Sequence, residues 1–214
     1  SSTLSGVLMS IDEWIDQTIA AKGYIQAQED REEFIIATGA GATKFNKWMK
    51  KAGCWVIGFG LESGNQENLD RMKKRATLDQ ARQAVALCRK HRIKSYGLFL
   101  IGLPWETREM VEDTSRFMKE LNPDFVDLNI AYPLPGTEYH RIALESGLFS
   151  EEDLQQGDYS KPIVRTVELS TEELIQCRRK ALLTFYLRPS YIVRTLLGVR
   201  SPKVLGNYIK SGLR

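Results

Sequence analysis

The feature of the sequence that most constrains the fold is an alternation of short apolar runs with longer amphipathic segments. The apolar runs cover residues 54–60, 95–101 and 125–131. Each run has the length of a strand, and the segments between them carry apolar residues at helical spacing. Strands that alternate with helices pair in parallel and are covered on both faces, which is why they are apolar throughout. The alternation therefore predicts an α/β fold with a parallel sheet.

Capping residues indicate where several helices begin. Thr77 and Gln80 have the spacing of a capping box, and Ser170 and Glu173 repeat it. Other helices are predicted at residues 65–72, 107–121 and 138–146, with further ones beginning at Ser10 and Ser201. Residues 24–43 include a charged stretch and a run of glycine and alanine, and they give no clear register.

The number of predicted strands limits the architecture. Three strands are too few to close an eight-stranded barrel, so we expect a partial (β/α) barrel whose open sheet edge must be covered. The pattern becomes entirely helical after Pro133. We therefore divide the chain into a partial barrel, residues 1–146, and a helical, basic C-terminal extension, residues 147–214.

Three segments follow the predicted strands, at the sheet edge where parallel α/β proteins bind their ligands. The segments are residues 60–64, 102–106 and 132–137. Their glycines and prolines bend the backbone, while Glu62 and Ser63 add polar groups suited to hydroxyl or ammonium groups. A site for a small polar ligand is one interpretation. The other is structural: Glu62 caps the helix that begins near Asn65, and residues 102–104 form only a turn.

These segments, in this order, resemble the fourth-, fifth- and sixth-strand signatures of radical S-adenosylmethionine (SAM) enzymes. The resemblance is carried by residues 60–72, 101–104 and 132–137. It is closest to the branch that contains methylthiotransferases and cobalamin-binding radical SAM proteins. The resemblance implies that the chain is the C-terminal, SAM-cradling part of a radical SAM barrel, followed by an extension.

The resemblance also implies roles for individual residues. Glu62 and Ser63 would contact the SAM amino group or ribose, and Lys74 would pair with the methionyl carboxylate. The residues expected to line the adenine, or to pack near it, are Ile101, Gly102, Leu103, Ala131 and Tyr132. For the apolar ones, simple core packing is the alternative.

The sequence departs from the family pattern in two places. Trp105 stands where relatives often carry glycine, so the loop either takes a different course or places Trp105 over the pocket, and Glu106 is only a weak site candidate. The family's C-x-x-x-C-x-x-C motif, which binds a 4Fe–4S cluster, has no counterpart, and Cys54, Cys88 and Cys177 are expected to be structural. We therefore expect the cluster in a parent protein and no reductive cleavage of SAM by this chain alone.

The C-terminal extension is strongly basic. Residues 178–214 contain nine Lys or Arg and no Asp or Glu. Mixed with large apolar residues, this composition suits a membrane surface, RNA or another polypeptide. It also resembles the extension of cobalamin-binding radical SAM proteins, which makes cobalamin a candidate cofactor. The structural alternative is a helical cap with solvated Arg and Lys side chains.

Three hypotheses for function follow. The first is the SAM-binding half of a radical SAM oxidoreductase or transferase, partnered by the missing N-terminal half or by a second copy through the sheet edge. The second is a degenerate, non-catalytic binding or assembly module that uses the basic tail. The third is an ordinary nucleotide or sugar-phosphate domain, for which no Walker or Rossmann glycine spacing is present.

The cellular setting follows from the cysteines and from the hydropathy of the chain. The three cysteines are far apart and odd in number, which favours a reducing, cytoplasmic environment over a disulfide framework. No apolar run reaches the length of a membrane-spanning helix, and the first ten residues do not resemble a signal peptide. A soluble protein is expected.

Overall fold

The computed structural model of the protein describes residues 49–150 and 162–198. The helices predicted to begin at Ser10 and Ser201, and the unclear stretch at residues 24–43, lie outside the described residues. The predicted boundary between partial barrel and extension at residues 146 and 147 is not tested by the fold and stays a prediction.

The three predicted strands are confirmed and form one parallel sheet in the order β1-β2-β3. Their bounds are β1 Val56–Glu62, β2 Lys94–Ile101 and β3 Phe125–Ile130. β1 begins two residues later than Cys54, because its register with β2 starts at the pair Val56 and Lys94. It also continues to Glu62 through an irregularity after Gly60, so Glu62 belongs to the strand itself.

Six helices connect or follow these strands in the part of the chain that the structure describes. They are α1 Gln66–Arg71, α2 Leu78–Lys90, α3 Arg108–Leu121, α4 Glu138–Glu145, α5 Thr171–Tyr186 and α6 Pro189–Gly198. Both predicted capping boxes are present, Thr77 with Gln80 at α2 and Ser170 with Glu173 at α5. Each satisfies backbone N–H groups that the first helical turn leaves without partners.

The main core lies between the sheet and helices α2, α3 and α5. Its buried side chains include Val85, Phe99, Ile101, Val111, Phe117, Met118, Leu121, Val126, Leu128, Leu174 and Phe185. Burying a side chain of this size contributes about 1.5–3 kcal/mol, so the set dominates the stability of the fold. Because Leu174 and Phe185 belong to α5, the extension packs into the same core as the sheet.

Helix α5 also covers the outer edge of β3. The Tyr186 hydroxyl donates to the Val126 carbonyl at 2.5 Å and accepts from the Val126 N–H at 2.9 Å. The Arg178 Nε donates to the Leu128 carbonyl at 2.5 Å. Side chains of the extension thus take the place of a further strand, which is how this edge avoids the unpaired backbone groups of an open sheet.

Two arginines of the basic extension bind the C-terminal end of α3. Arg188 donates to the Lys119 carbonyl at 2.9 Å and to the Asn122 side chain at 3.1 Å, and Arg194 donates to the Pro123 carbonyl at 3.0 Å. The last carbonyls of a helix lack intrahelical partners and attract cations. The expectation of solvated side chains in this extension is therefore wrong for these two arginines.

A search of the described helices for membrane-spanning segments finds none with enough length and apolar character.

Candidate functional site

The C-terminal ends of the three strands meet at one edge of the sheet, and the predicted site residues begin there. Glu62 ends β1 and Ile101 ends β2, while Ala131 directly follows β3. The Ala131 N–H donates to the Ile101 carbonyl at 2.8 Å, which extends the pairing of β2 and β3 by one residue. The three predicted segments therefore lie at the same edge of the sheet.

Glu62 and Lys74 form an ion pair at this edge, with Nζ and Oε1 2.9 Å apart. The Glu62 side chain is 26% exposed and the Lys74 side chain 36% exposed, so both charges are partly shielded but reachable. Glycine at position 60 provides the space: a Cβ there would lie 2.8 Å from the Glu62 Oε1 and 3.3 Å from the Lys74 Nζ. Two predicted site residues thus contact each other directly.

The structural alternative for Glu62, that it caps α1, is wrong. The cap is Asn65, whose side chain accepts a hydrogen bond from the Asn68 N–H, because an amide just past a strand end reaches the first helical turn. The Glu62 carboxylate instead accepts from the Lys74 ammonium group. The Glu62 backbone has a positive φ of 60°, a conformation shared by Lys73, Arg75, Arg92 and Asn122, so it does not by itself mark a functional site.

Ser63 is buried, and its hydroxyl already has several protein partners. It lies 3.1 Å from the Thr114 hydroxyl and accepts from the Asn65 N–H at 3.1 Å and from the Asn68 amide at 3.3 Å. These contacts fasten the loop after β1 to helix α3. Gly64 allows the close approach, since a Cβ at Gly64 would lie 2.5 Å from the Cβ of Phe117. A SAM contact by Ser63 stays a prediction.

The residues expected to line the adenine are mostly inside the protein. Ile101, Leu103 and Ala131 are buried, Tyr132 is half-buried, and Gly102 has a φ of 90° that favours glycine. The Gly102 and Leu103 N–H groups both donate to Glu106. These two N–H groups are therefore already occupied, and Ile101 is also part of the main core. Adenine contact by this set stays a prediction.

Glu106, a weak candidate in the sequence, is a fully buried carboxylate with three hydrogen-bond donors around it. Its Oε2 accepts from the Gly102 N–H at 2.6 Å and from the Leu103 N–H at 3.2 Å. Its Oε1 accepts from the Asn68 amide at 2.9 Å. Buried charges need such partners. An ionised carboxylate can only accept hydrogen bonds, whereas the protonated form also donates one. Because every partner is a donor, the geometry fits the ionised form.

The sequence analysis missed Asn68. This residue is completely buried in α1, and its side chain bridges the loops after β1 and β2. Trp105 completes the arrangement, since its indole N–H donates to the Asn68 Oδ1 at 3.0 Å. The sequence of α1, Gln66–Arg71, is polar apart from Leu69, so nothing in it marked Asn68 as buried. Its partners are 37 and 38 residues away in the chain, which local spacing does not reveal.

Trp105 also forms a wall of a surface cavity beside the strand ends. The Arg71 guanidinium lies over its ring, 4.6 Å from the centroid, in a cation–π contact. The cavity has a volume of about 340 Å³. Its lining residues are Arg71, Pro104, Trp105, Ile142, Ser146 and Val167.

Burial controls the ionisation of this region. Burial raises the pKa of Glu106 to about 7, and the three N–H donors offset only part of that effect. Burial, and to a smaller extent the charge of Glu106, also raises the pKa of Tyr139 above its ordinary value. The Tyr139 hydroxyl therefore stays protonated, and it donates a hydrogen bond to the Gly102 carbonyl at 3.0 Å.

The cysteines of this chain do not fit an iron–sulfur cluster. Cys88 is buried in α2, and burial raises the pKa of its thiol to about 12, which opposes the thiolate that a metal requires. The Cys54 thiol donates to the Val56 carbonyl, and Cys177 lies on α5. Within residues 49–150 and 162–198, no group of three or more His, Cys, Asp or Glu is arranged to hold a metal ion.

Comparisons with known proteins give a consistent family. Residues 10–118 match the model of the radical SAM superfamily. The chain is 33% identical over 153 residues to an uncharacterized methyltransferase of Pyrococcus horikoshii, a match that covers 72% of the chain and 33% of that protein. It is 30% identical over 149 residues to the anaerobic magnesium-protoporphyrin IX monomethyl ester cyclase of Cereibacter sphaeroides, covering 66% of the chain and 23% of the cyclase.

A third relative is the bacteriochlorophyllide d C-8(2)-methyltransferase of Chlorobaculum tepidum, which is 25% identical over 167 residues. That match covers 77% of the chain and 36% of the methyltransferase. The chain therefore spans about a third of the length of these relatives, or less.

Proposed function

The chain belongs to the radical SAM superfamily, and we propose that it binds SAM at the C-terminal edge of its sheet, as the SAM-binding part of a radical SAM enzyme. The observation that carries the proposal is the ion pair of Glu62 and Lys74. It offers one carboxylate and one ammonium group side by side, at the edge where parallel α/β proteins bind ligands.

The charges of this pair complement the amino acid end of SAM. The α-ammonium group of the ligand binds the Glu62 carboxylate, and the α-carboxylate binds the Lys74 ammonium group. Each protein charge is already partly desolvated, at 26% and 36% exposure, so less hydration is lost when the ligand arrives. Glycine at position 60 is what lets the two side chains lie this close to the strand, since a Cβ there would lie 2.8 Å from the Glu62 Oε1.

The rest of SAM extends along the ends of β2 and β3. We assign the ribose to the hydroxyl of Ser63, which directly follows Glu62 in the chain. We assign the adenine to the ends of β2 and β3, where Tyr132 is half-buried and the other members of the set, Ile101, Gly102, Leu103 and Ala131, are buried. The cavity walled by Trp105 lies beside the turn that follows β2.

The class of reaction is that of the family. A radical SAM enzyme cleaves SAM to a 5′-deoxyadenosyl radical or transfers its methyl group, using chemistry that a 4Fe–4S cluster supplies. The cysteines of this chain do not fit that cluster, so we assign the chain SAM binding and no independent catalysis. Two of these three relatives are named methyltransferases and one is named a magnesium-protoporphyrin IX monomethyl ester cyclase, which favours a methyltransferase or cyclase as the whole protein.

Isothermal titration calorimetry with SAM tests the proposal. We expect Lys74→Met to weaken SAM binding at least about tenfold, since charge-assisted hydrogen bonds contribute roughly 1.5–3 kcal/mol. Lys73→Met is the matched control, because Lys73 is the neighbouring lysine and forms an exposed ion pair with Glu138. Equal SAM affinity in the two variants, or the absence of SAM binding by the unmodified chain, would refute the proposed site.

The non-catalytic alternative, a binding module based on the basic tail, receives less support. Arg188 and Arg194 are bound to carbonyl groups at the end of α3 and so serve the fold itself. Charge reversal at these positions therefore removes intramolecular hydrogen bonds as well as surface charge. A test of a tail partner needs Arg179→Glu instead, since Arg179 is an exposed residue of α5.

A further inference from the structure

We propose that Glu106, Asn68 and Trp105 are positioning residues, which act in series to fix the Gly102–Leu103 turn at the end of β2. The inference rests on the proposed function in so far as this turn is expected to line the adenine of SAM. None of the three residues needs to touch the ligand. Their role follows from the direction of each hydrogen bond between them.

The first step is the turn itself. With φ near 90°, Gly102 directs its own N–H and that of Leu103 into the protein, where both lie within hydrogen-bonding distance of one Glu106 oxygen. Buried backbone N–H groups without partners are costly, so the conformation of the turn depends on an acceptor at this point. Glu106 is that acceptor. Its own backbone N–H donates to the Leu103 carbonyl at 2.9 Å, which fixes the Glu106 backbone next to the turn.

The second step is the orientation of Asn68. An amide side chain can present either its oxygen or its nitrogen to a neighbour, and its partners decide which. The Trp105 indole is a donor only, so it requires the Asn68 oxygen. The Asn68 nitrogen is then directed to Glu106, at 2.9 Å, and to the Ser63 hydroxyl, at 3.3 Å. Trp105 thereby orients the Asn68 amide so that its nitrogen donates to Glu106.

The series links the two strand ends that carry the proposed site. Ser63 follows β1 and the Gly102–Leu103 turn follows β2, and the side chain of Asn68 reaches both through Ser63 and Glu106. A displacement of the turn relative to β1 therefore breaks at least one bond of a buried network, where an unpaired polar group is costly.

A pair of substitutions tests the direction of these bonds. In Glu106→Gln, the new side chain can still accept from the turn, but its amide nitrogen then faces the amide nitrogen of Asn68, and two donors oppose each other. Adding Asn68→Asp restores an acceptor opposite the new amide nitrogen and retains one for the Trp105 indole. The Ser63 hydroxyl, which accepts from Asn68 in the wild type, donates to the new carboxylate instead. The double variant also keeps one buried negative charge, and Asp is compatible with the first turn of α1.

Amide hydrogen exchange of Gly102 and Leu103, followed by NMR at a pH above 7 where Glu106 is ionised, gives the direct readout. We expect Glu106→Gln to lower the protection of both amides at least about tenfold, because a neutral acceptor replaces a charged one and its amide nitrogen opposes that of Asn68. The double variant should recover most of this loss. The Val85 amide in α2 reports global stability, and Glu109→Gln, an exposed change in the first turn of α3, is the control variant.

The outcomes separate this inference from the proposed function. If Glu106→Gln leaves both amides protected, or the folded double variant is no better than the single one, the positioning role is refuted whether or not SAM binds. If the single variant does not fold, Trp105→Phe removes only the indole donor, and unchanged protection in that variant refutes the series.

SAM titration of the same proteins gives the functional half of the test. We expect SAM affinity to fall in Glu106→Gln, to return in the double variant and to be unchanged in Glu109→Gln. SAM binding that is equally tight in wild type and Glu106→Gln refutes the link between the turn and the ligand. No SAM binding by the wild type refutes the proposed function, while hydrogen exchange still decides the role of Glu106.

Discussion

The buried carboxylate of Glu106 leads to a prediction about stability that is independent of any ligand. Its pKa rises from an ordinary value of 4.5 to about 7 because burial disfavours the charged form. Between these two pH values the folded protein holds a proton that the unfolded chain has lost. Stability contributed by this proton is complete below pH 4.5 and is lost as the pH rises through about 7. Glu106→Gln removes this dependence.

The magnitude follows from the distance between the two pKa values. Each pH unit corresponds to roughly 1.4 kcal/mol, so the interval from 4.5 to about 7 amounts to about 3 kcal/mol. This is a substantial part of the stability of a typical domain, which lies at about 5–15 kcal/mol. The effect should therefore be visible in ordinary equilibrium unfolding.

Urea unfolding of wild type and Glu106→Gln, measured in parallel from below pH 4.5 to above pH 7, is the assay. Tyr139 is the titratable neighbour that the Glu106 charge affects, and its raised pKa keeps it protonated over this whole range in both proteins. We expect the free energy of unfolding of the wild type to decrease relative to the variant by about 3 kcal/mol over this range and then to level off.

Two results would contradict this reasoning. A difference that does not change with pH would mean that Glu106 has the same proton affinity in the folded and unfolded chains. A difference that increases with pH would mean that the three N–H donors outweigh burial and hold the pKa below its ordinary value. In either case the account of burial as the dominant effect is wrong.

Three further predictions concern the fold around the site. Gly64→Ala should lower the free energy of unfolding by about 3 kcal/mol in urea titration, because its Cβ would lie 2.5 Å from the Cβ of Phe117; a loss near zero would mean that α3 shifts freely. Tyr186→Phe should cost about 2 kcal/mol, because both backbone groups of Val126 lose a partner at the sheet edge, and a neutral effect would show that water replaces the hydroxyl. The buried Cys88 thiol, with its pKa raised to about 12, should react with a thiol reagent only after denaturation, and rapid labelling of that residue in the native protein would contradict its placement.

Local sequence patterns were sufficient to predict the elements. The three strands and both capping boxes, Thr77 with Gln80 and Ser170 with Glu173, are where the sequence indicated. These features depend on residues within one or two helical turns of each other, so spacing reveals them. The bounds of β1 were less accurate, because the end of a strand depends on which residues of β2 it pairs with.

The candidate site was predicted less completely. Glu62 and Lys74 were both named from the resemblance, yet their contact with each other was not, since the intervening residues include all of α1. Glu106 was underrated, and Asn68 was missed altogether. A polar residue in a helix gives no sign of being buried until the tertiary structure shows which neighbours surround it.

The sequence by itself determined a parallel α/β sheet and membership of a family that uses SAM, and it indicated the edge of the sheet at which we propose the ligand site. Periodicity and ordered motifs carry this information because they are local. Only the tertiary structure decided that the basic extension completes the core and closes the β3 edge, and that Asn68 joins Trp105 to Glu106. Those contacts join residues tens of positions apart, and their energies depend on burial and hydrogen-bond direction, which exist only once the chain has folded.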